Sequence, residues 1–247
     1  MSVRTVELNT TRQRKVEAGS VIAYAGAAAF VIAATWYALA LHNITQAGPP
    51  QVGPKVSAVR GLHLFYRWFA STLPQERLYT VIAIAGFGCL AAVALAVRDQ
   101  LGLGNTRVAR TSALAIVAGS AVWIASNIAQ LGGHRAIGLM ATHANPIQAV
   151  NSIAFTIDTT ASALELTAFV LIGAGMLGFA YAARPQAGYR VWTGLSAALG
   201  LLMLVLAWTY ASGPNDLTDW LLPITGVAAV PAWLILTTRV RTVSSIS

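Results

Sequence analysis

From Ala18 to His42 the chain runs 25 residues without a charged side chain. Every peptide unit in such a run carries an N–H and a C=O that hydrocarbon cannot satisfy, so the stretch closes its hydrogen bonds on itself as a helix. At about 1.5 Å per residue that helix is long enough to cross a hydrocarbon core of about 30 Å. Five more predominantly apolar runs follow, at 78–97, 110–131, 152–183, 190–212 and 218–238. The pattern predicts an all-α fold, a polytopic bundle of six transmembrane helices. Ala38-Leu39-Ala40 has the small-x-small look of a signal cleavage site, but the first run is longer than a usual signal core and further spans follow.

Composition agrees. Only 10% of residues are charged and 56% are hydrophobic, where a soluble domain carries about 25% charged residues. The net charge of +8 would suggest nucleic acid in a soluble chain. Here the basic residues sit in short segments beside apolar runs, with no basic patch interleaved with aromatics, so nucleic acid is excluded as a partner and the lipid bilayer takes its place. A single cysteine, Cys89, rules out an intrachain disulfide, a CxxC redox pair and a thiolate cluster.

Basic residues also orient the chain. With the N-terminus inside, eleven of the 16 Lys and Arg fall on the cytoplasmic side, against Lys55, Arg60, Arg67, Arg77 and Arg135 outside. Both termini are then cytoplasmic. Trp36, Tyr37, Trp68, Trp208, Tyr210 and Trp220 would form the outer aromatic belt, and Tyr181, Tyr189, Trp192 and Trp233 the inner one. The expected organisation is a cytoplasmic tail at 1–17, one six-helix domain at 18–240, and a cytoplasmic tail at 241–247. External loops occupy 43–77 and 132–150. In the first, Ala47-Gly48-Pro49-Pro50 cannot be regular helix, and Gly61 to Phe69 reads as a short helix lying in the interface. In the second, Gly132-Gly133 stops the third span and Asn145-Pro146 starts the fourth. The fourth span is too long for a perpendicular helix, and Pro223 and Pro231 predict a kinked sixth.

The residues that could carry chemistry gather on the external side. All four histidines, His42, His63, His134 and His143, fall there, as do Glu76, Asp158, Glu165, Asp216 and Asp219. On the fourth span Asn151, Asp158, Ser162 and Glu165 are spaced 7, 4 and 3 apart, which puts them on one helix face. Asp158 and Glu165 lie about 10 Å apart along the axis. A carboxylate at membrane depth is costly, about 2–3 kcal/mol on insertion scales, so it faces the bundle or a wet cavity. The third span answers with Ser120, Trp123, Asn127 and Gln130, and His134 and Arg135 just beyond. Consecutive helices tend to pack together, so the two stripes meet, with Thr35 and His42 of the first span completing the wall.

Three readings of this constellation stand open. It can be an interhelical hydrogen-bond network with Arg135 paired to Asp158 or Glu165. It can be an outward-facing ligand or proton-linked cavity built from Asp158, Glu165, Ser162, Asn127, Gln130 and Arg135, with Glu165 titrating. It can be a metal or haem site using His134, His143 or His63 with Asp158, although nothing fixes the distance between those histidines. A retinal-type Schiff base is excluded, since Lys15 and Lys55 lie outside the spans. No phosphate loop, nucleophile elbow or HExxH pattern occurs, and no cofactor is expected. Gly173, Gly175 and Gly178, with Ala174 and Ala182, predict close helix approach within the monomer.

The layout, with Asn151-Ser-Ile-Ala-Phe-Thr-Ile-Asp158 in the fourth span and Val191-Trp-Thr-Gly194 through Trp233 at the end, resembles uncharacterised small multi-pass membrane proteins of high-GC bacteria. The resemblance implies a bacterial cytoplasmic membrane and brings no activity with it. The residues favour a non-enzymatic sensor or interaction subunit with an outward-facing polar pocket between the third and fourth helices, taking a small ligand or a membrane protein partner. A proton-coupled small-molecule transporter and an outward-facing metal-dependent or hydrolytic enzyme are the alternatives.

Overall fold

The computed structural model describes residues 3–41, 58–100, 106–142, 147–212 and 216–246. These form α1 (Val3–Leu41), α2 (Ala58–Gln100), α3 (Thr106–Thr142), α4 (Ile147–Ala183), α5 (Arg190–Ser212), α6 (Asp216–Ile224) and α7 (Val230–Ile246). No strand occurs among the described residues. Six stretches are long and apolar enough to cross a membrane: Glu17–Leu39, Arg77–Arg98, Arg107–Met140, Ile147–Ala183, Arg190–Ser212 and Leu217–Arg239. The chain is a multi-pass helical membrane protein. Sequential helices pack on one another, most extensively α3 on α4, and α7 returns to α1 to close a ring.

Several helices outrun the apolar runs that nucleate them. α1 takes in the polar residues from Val3 onward, and α2 begins at Ala58, so the segment from Gly61 to Phe69 is the first part of that helix. The interfacial helix expected there is therefore not a separate element. Gly132-Gly133 does not stop the third span either. α3 continues to Thr142, because glycine inside a helix costs only about 1 kcal/mol and the neighbouring helix compensates it. A Cβ on Gly133 would meet the Ile157 side chain at 2.8 Å, so this glycine serves contact with α4. The stretch 43–57 and Asn145-Pro146 lie outside the described residues, but α4 starts at Ile147, where that pair leaves off.

The irregularity expected from Pro223 and Pro231 takes the form of a π-helical turn, Thr225–Ala229, between them. Pro223 cannot donate a backbone hydrogen bond to the preceding turn, and widening the helix redistributes the carbonyls. The Thr225 hydroxyl donates to the Leu221 carbonyl at 2.7 Å, across the turn that holds Pro223.

Small residues on α4 serve two neighbours. A Cβ on Gly173 would lie 2.9 Å from the Gly200 carbonyl of α5. One on Gly175 would lie 2.7 Å from the Ser112 carbonyl of α3, and Gly178 also abuts Ser112. Backbone thus packs on backbone on both sides of α4, within the monomer as expected.

At the α4–α5 connection end of the bundle, two tryptophans assigned by sequence to the inner belt are fully buried instead, Trp192 at 1% exposure and Trp233 at 0%. Their indole N–H groups explain why. Trp192 Nε1 donates to Thr237 Oγ1 at 2.9 Å, and that hydroxyl donates to the Trp233 carbonyl at 2.7 Å. Trp233 Nε1 donates to Ser196 Oγ at 2.8 Å, and that hydroxyl donates to the Trp192 carbonyl at 2.8 Å. The result is a reciprocal lock between α5 and α7, with Phe179 of α4 packed on both rings.

Candidate functional site

The opposite half of the bundle, where α1 ends, is built differently. Between the six spans lies a cavity of about 190 Å³. α1 contributes Phe30, Ala33, Ala34 and Tyr37; α2 contributes Tyr79, Ala83 and Phe87. Trp123, Asn127 and Gln130 come from α3, Glu165 and Phe169 from α4, and Met203 and Tyr210 from α5. The last span closes the wall through Leu222, Pro223, Thr225, Gly226 and Val230, so its π-turn faces the cavity.

Glu165 is the one charged side chain among these lining residues, and it is only 9% exposed. Gln130 Nε2 donates to Glu165 Oε1 at 2.6 Å, across the α3–α4 interface. The Tyr210 hydroxyl donates to the same carboxylate from α5. A further contact from Gln130 Nε2 to Ser126 Oγ, at 3.5 Å, is long and weak. Ser126 also bridges the two helices itself, donating to the Ala161 carbonyl at 3.1 Å. Three neutral groups from two neighbours thus hold the carboxylate and its supporting helix pair in place.

The remaining wall is aromatic. Phe87 stacks on Trp123 with ring centroids 4.0 Å apart, and Phe30 meets Phe87 edge-on at 5.0 Å. Tyr37 meets Tyr79 edge-on at 6.1 Å, and Phe169 packs against Tyr210 at 5.4 Å. Asn127 turns its amide to the Trp123 carbonyl at 3.0 Å, which fixes that side chain along α3.

A second polar cluster sits two turns from Glu165, at Asp158. Tyr66 donates to Asp158 Oδ2 at 2.8 Å, and His134 Nε2 lies 3.1 Å from Oδ1, an ion pair when the ring is protonated. Burial, and then the bond to Asp158, push the Tyr66 phenol above its ordinary range, so it remains a neutral donor. Ile137, Val150 and Ala154 pack with Tyr66 into a small apolar cluster of their own.

The residues expected from sequence therefore divide. Glu165, Asn127 and Gln130 line the cavity together, with Trp123 of the same stripe. Asp158 belongs to the separate cluster with His134 and Tyr66. Ser162 is exposed and lines no part of the cavity, because it falls on the edge of the α4 face that Glu165 occupies. Arg135 is exposed and pairs with neither carboxylate; His134 stands where that pairing was expected on Asp158, and Gln130 with Tyr210 on Glu165. Thr35 is exposed too, and α1 presents Tyr37 to the cavity in its stead. His42, His143 and the side chain of His63 lie outside the described residues. Among the described residues no three of His, Cys, Asp and Glu come together as a metal-holding group. The pocket expected between α3 and α4 is a cavity shared by all six spans.

Tyr210, Tyr37 and Tyr66 are the participants that sequence reasoning missed. The first two carried the pattern of belt aromatics near a span end, and no spacing along one helix ties them to Glu165. No protein-family model, curated protein or solved structure matches this chain.

Proposed function

We propose that this protein is a non-enzymatic sensor or interaction subunit of a bacterial cytoplasmic membrane whose central cavity binds a small ligand. The observation that carries this reading is the cavity itself, walled by every span and centred on a buried Glu165 held by Gln130 and Tyr210. A concave, mostly apolar site with a few convergent polar groups is the usual form of a small-molecule site. Because each span supplies part of the wall, a ligand that fills the cavity touches all six helices and can bias their packing toward one arrangement. The positive-inside pattern makes the cavity half outward-facing.

Thermal unfolding in nanodiscs against a panel of small amines, alcohols and carboxylic acids tests this. At least one class should raise the melting temperature of the wild type and leave Ala83→Leu, which fills the cavity, unshifted. A panel that moves neither protein, or both alike, sinks the proposal.

Proton-coupled transport is the second reading. The π-turn beside Pro223 favours it, since interrupted helices at a midplane site are a recurrent transporter feature. Transport needs access from the other side as well, and there the Trp192–Trp233 lock closes the bundle. Proton-linked uptake into proteoliposomes that is abolished by Glu165→Gln would place transport first.

A further inference from the structure

We propose that the ligand of this cavity is a small organic cation, an amine or quaternary ammonium group whose charge faces Glu165 while its carbon atoms lie on the aromatic wall. The proposal rests on the reading of the cavity as a binding site and adds the ligand's chemical class.

Charge comes first. Glu165 is nearly buried, and the groups that hydrogen-bond it, Gln130 and Tyr210, are neutral. Among the described residues no lysine or arginine lines the cavity. His134, a base whose charge reaches Glu165, has its Nε2 at Asp158, 3.1 Å away. An ionised carboxylate so placed has hydrogen bonds without a full counter-charge beside it, and a bound cation supplies that charge at the point where it is missing.

The wall comes second. Phe30, Phe87, Trp123, Phe169, Tyr79 and Tyr210 line the same cavity as the carboxylate. Aromatic faces carry the negative lobe of the ring quadrupole, so they attract ammonium groups and repel anions. An anionic ligand would meet the carboxylate and the ring faces together. A neutral ligand would find the apolar wall but leave Glu165 as it was.

Size comes third. About 190 Å³ is somewhat more than the roughly 150 Å³ of an apolar cavity that takes up benzene. That admits an ammonium head group with a few carbons.

The test compares choline, tetramethylammonium and propylammonium with 3,3-dimethyl-1-butanol, the uncharged isostere of choline. Each is titrated calorimetrically into wild type, Glu165→Gln and Trp123→Leu in nanodiscs. At least one cation should bind the wild type, weaken by about tenfold or more in Glu165→Gln, and weaken less in Trp123→Leu. The isostere should bind the wild type more weakly than choline and be indifferent to Glu165→Gln, which also reports that the variant's cavity is intact. An isostere that binds as well as choline, or cations indifferent to Glu165→Gln, would overturn the cation assignment while the cavity reading stands. Failure of every cation to bind folded wild type overturns it as well, and the Ala83→Leu thermal comparison then decides the cavity reading separately.

Discussion

The two halves of this bundle handle buried polar groups in opposite ways. In the lock, each tryptophan N–H meets a hydroxyl that in turn meets the other tryptophan's carbonyl, and the set closes on itself with no formal charge. In the cavity half, a carboxylate takes the central place, its donors are neutral, and the surrounding rings leave about 190 Å³ unfilled. A closed neutral network rigidifies a membrane bundle, because every donor already has its acceptor. A half-compensated carboxylate beside unfilled volume does the reverse and retains its capacity to interact. On the proposed reading, the difference separates stability from ligand binding along the length of the same six helices.

The largest expected effect breaks the stable half. Trp233→Ala removes a fully buried ring and leaves Ser196 without its donor, so it should cost about 3–5 kcal/mol, read as a large drop in thermal unfolding temperature. Trp233→Phe, which keeps a ring on Phe179, should lose clearly less. Equal losses would mean that the hydrogen bond outweighs the packing.

Next comes the cluster at Asp158. Tyr66→Phe removes a hydrogen bond to a carboxylate and should cost about 1.5–3 kcal/mol. It should also change the alkaline limb of stability. The Tyr66 phenol is raised in the folded protein, so its contribution is fully present below the ordinary tyrosine range near pH 10 and is lost as pH climbs through the folded value. Unfolding followed from pH 8 to 11 should therefore fall more steeply in wild type than in Tyr66→Phe. Parallel curves would detach Tyr66 from Asp158.

Glu165→Gln sharpens the comparison in the other direction. Replacing the buried carboxylate by an amide of the same shape should leave stability unchanged or raise it by about 1 kcal/mol, with cation binding weakened by about tenfold or more. A destabilisation as large as that of Trp233→Ala would make Glu165 a structural member like the lock. The smallest effect belongs to Ser162→Ala, which should move stability by less than about 0.5 kcal/mol and leave binding alone. A loss of binding in that variant would extend the site onto the exposed face of α4.

Much of this was legible in the residues. Apolar runs of 20 residues or more favour helix, which satisfies every backbone group within the run, so six spans follow from the sequence by itself. The spacing of Trp123, Asn127 and Gln130 is also local, since residues three and four apart share a helix face whatever the helix packs against. Gly173 and Gly175 announced close contact for the same reason.

What the residues did not decide is which of two equivalent roles a side chain takes. A tryptophan or tyrosine near the end of a span suits the interface or the interior equally well. Trp192 and Trp233 went inward because Thr237 and Ser196 stand opposite their N–H groups, and Tyr210 because Glu165 does. Gly132-Gly133 likewise reads as a stop until Ile157 packs on it. Ser162 satisfied the helical period yet lies outside the cavity, because the period fixes a face to within some tens of degrees while neighbouring helices cover only part of it. Helix count and polar stripes are properties of one helix in hydrocarbon. The cavity, the lock and the company of Glu165 are properties of helices meeting, fixed by partners distant in sequence.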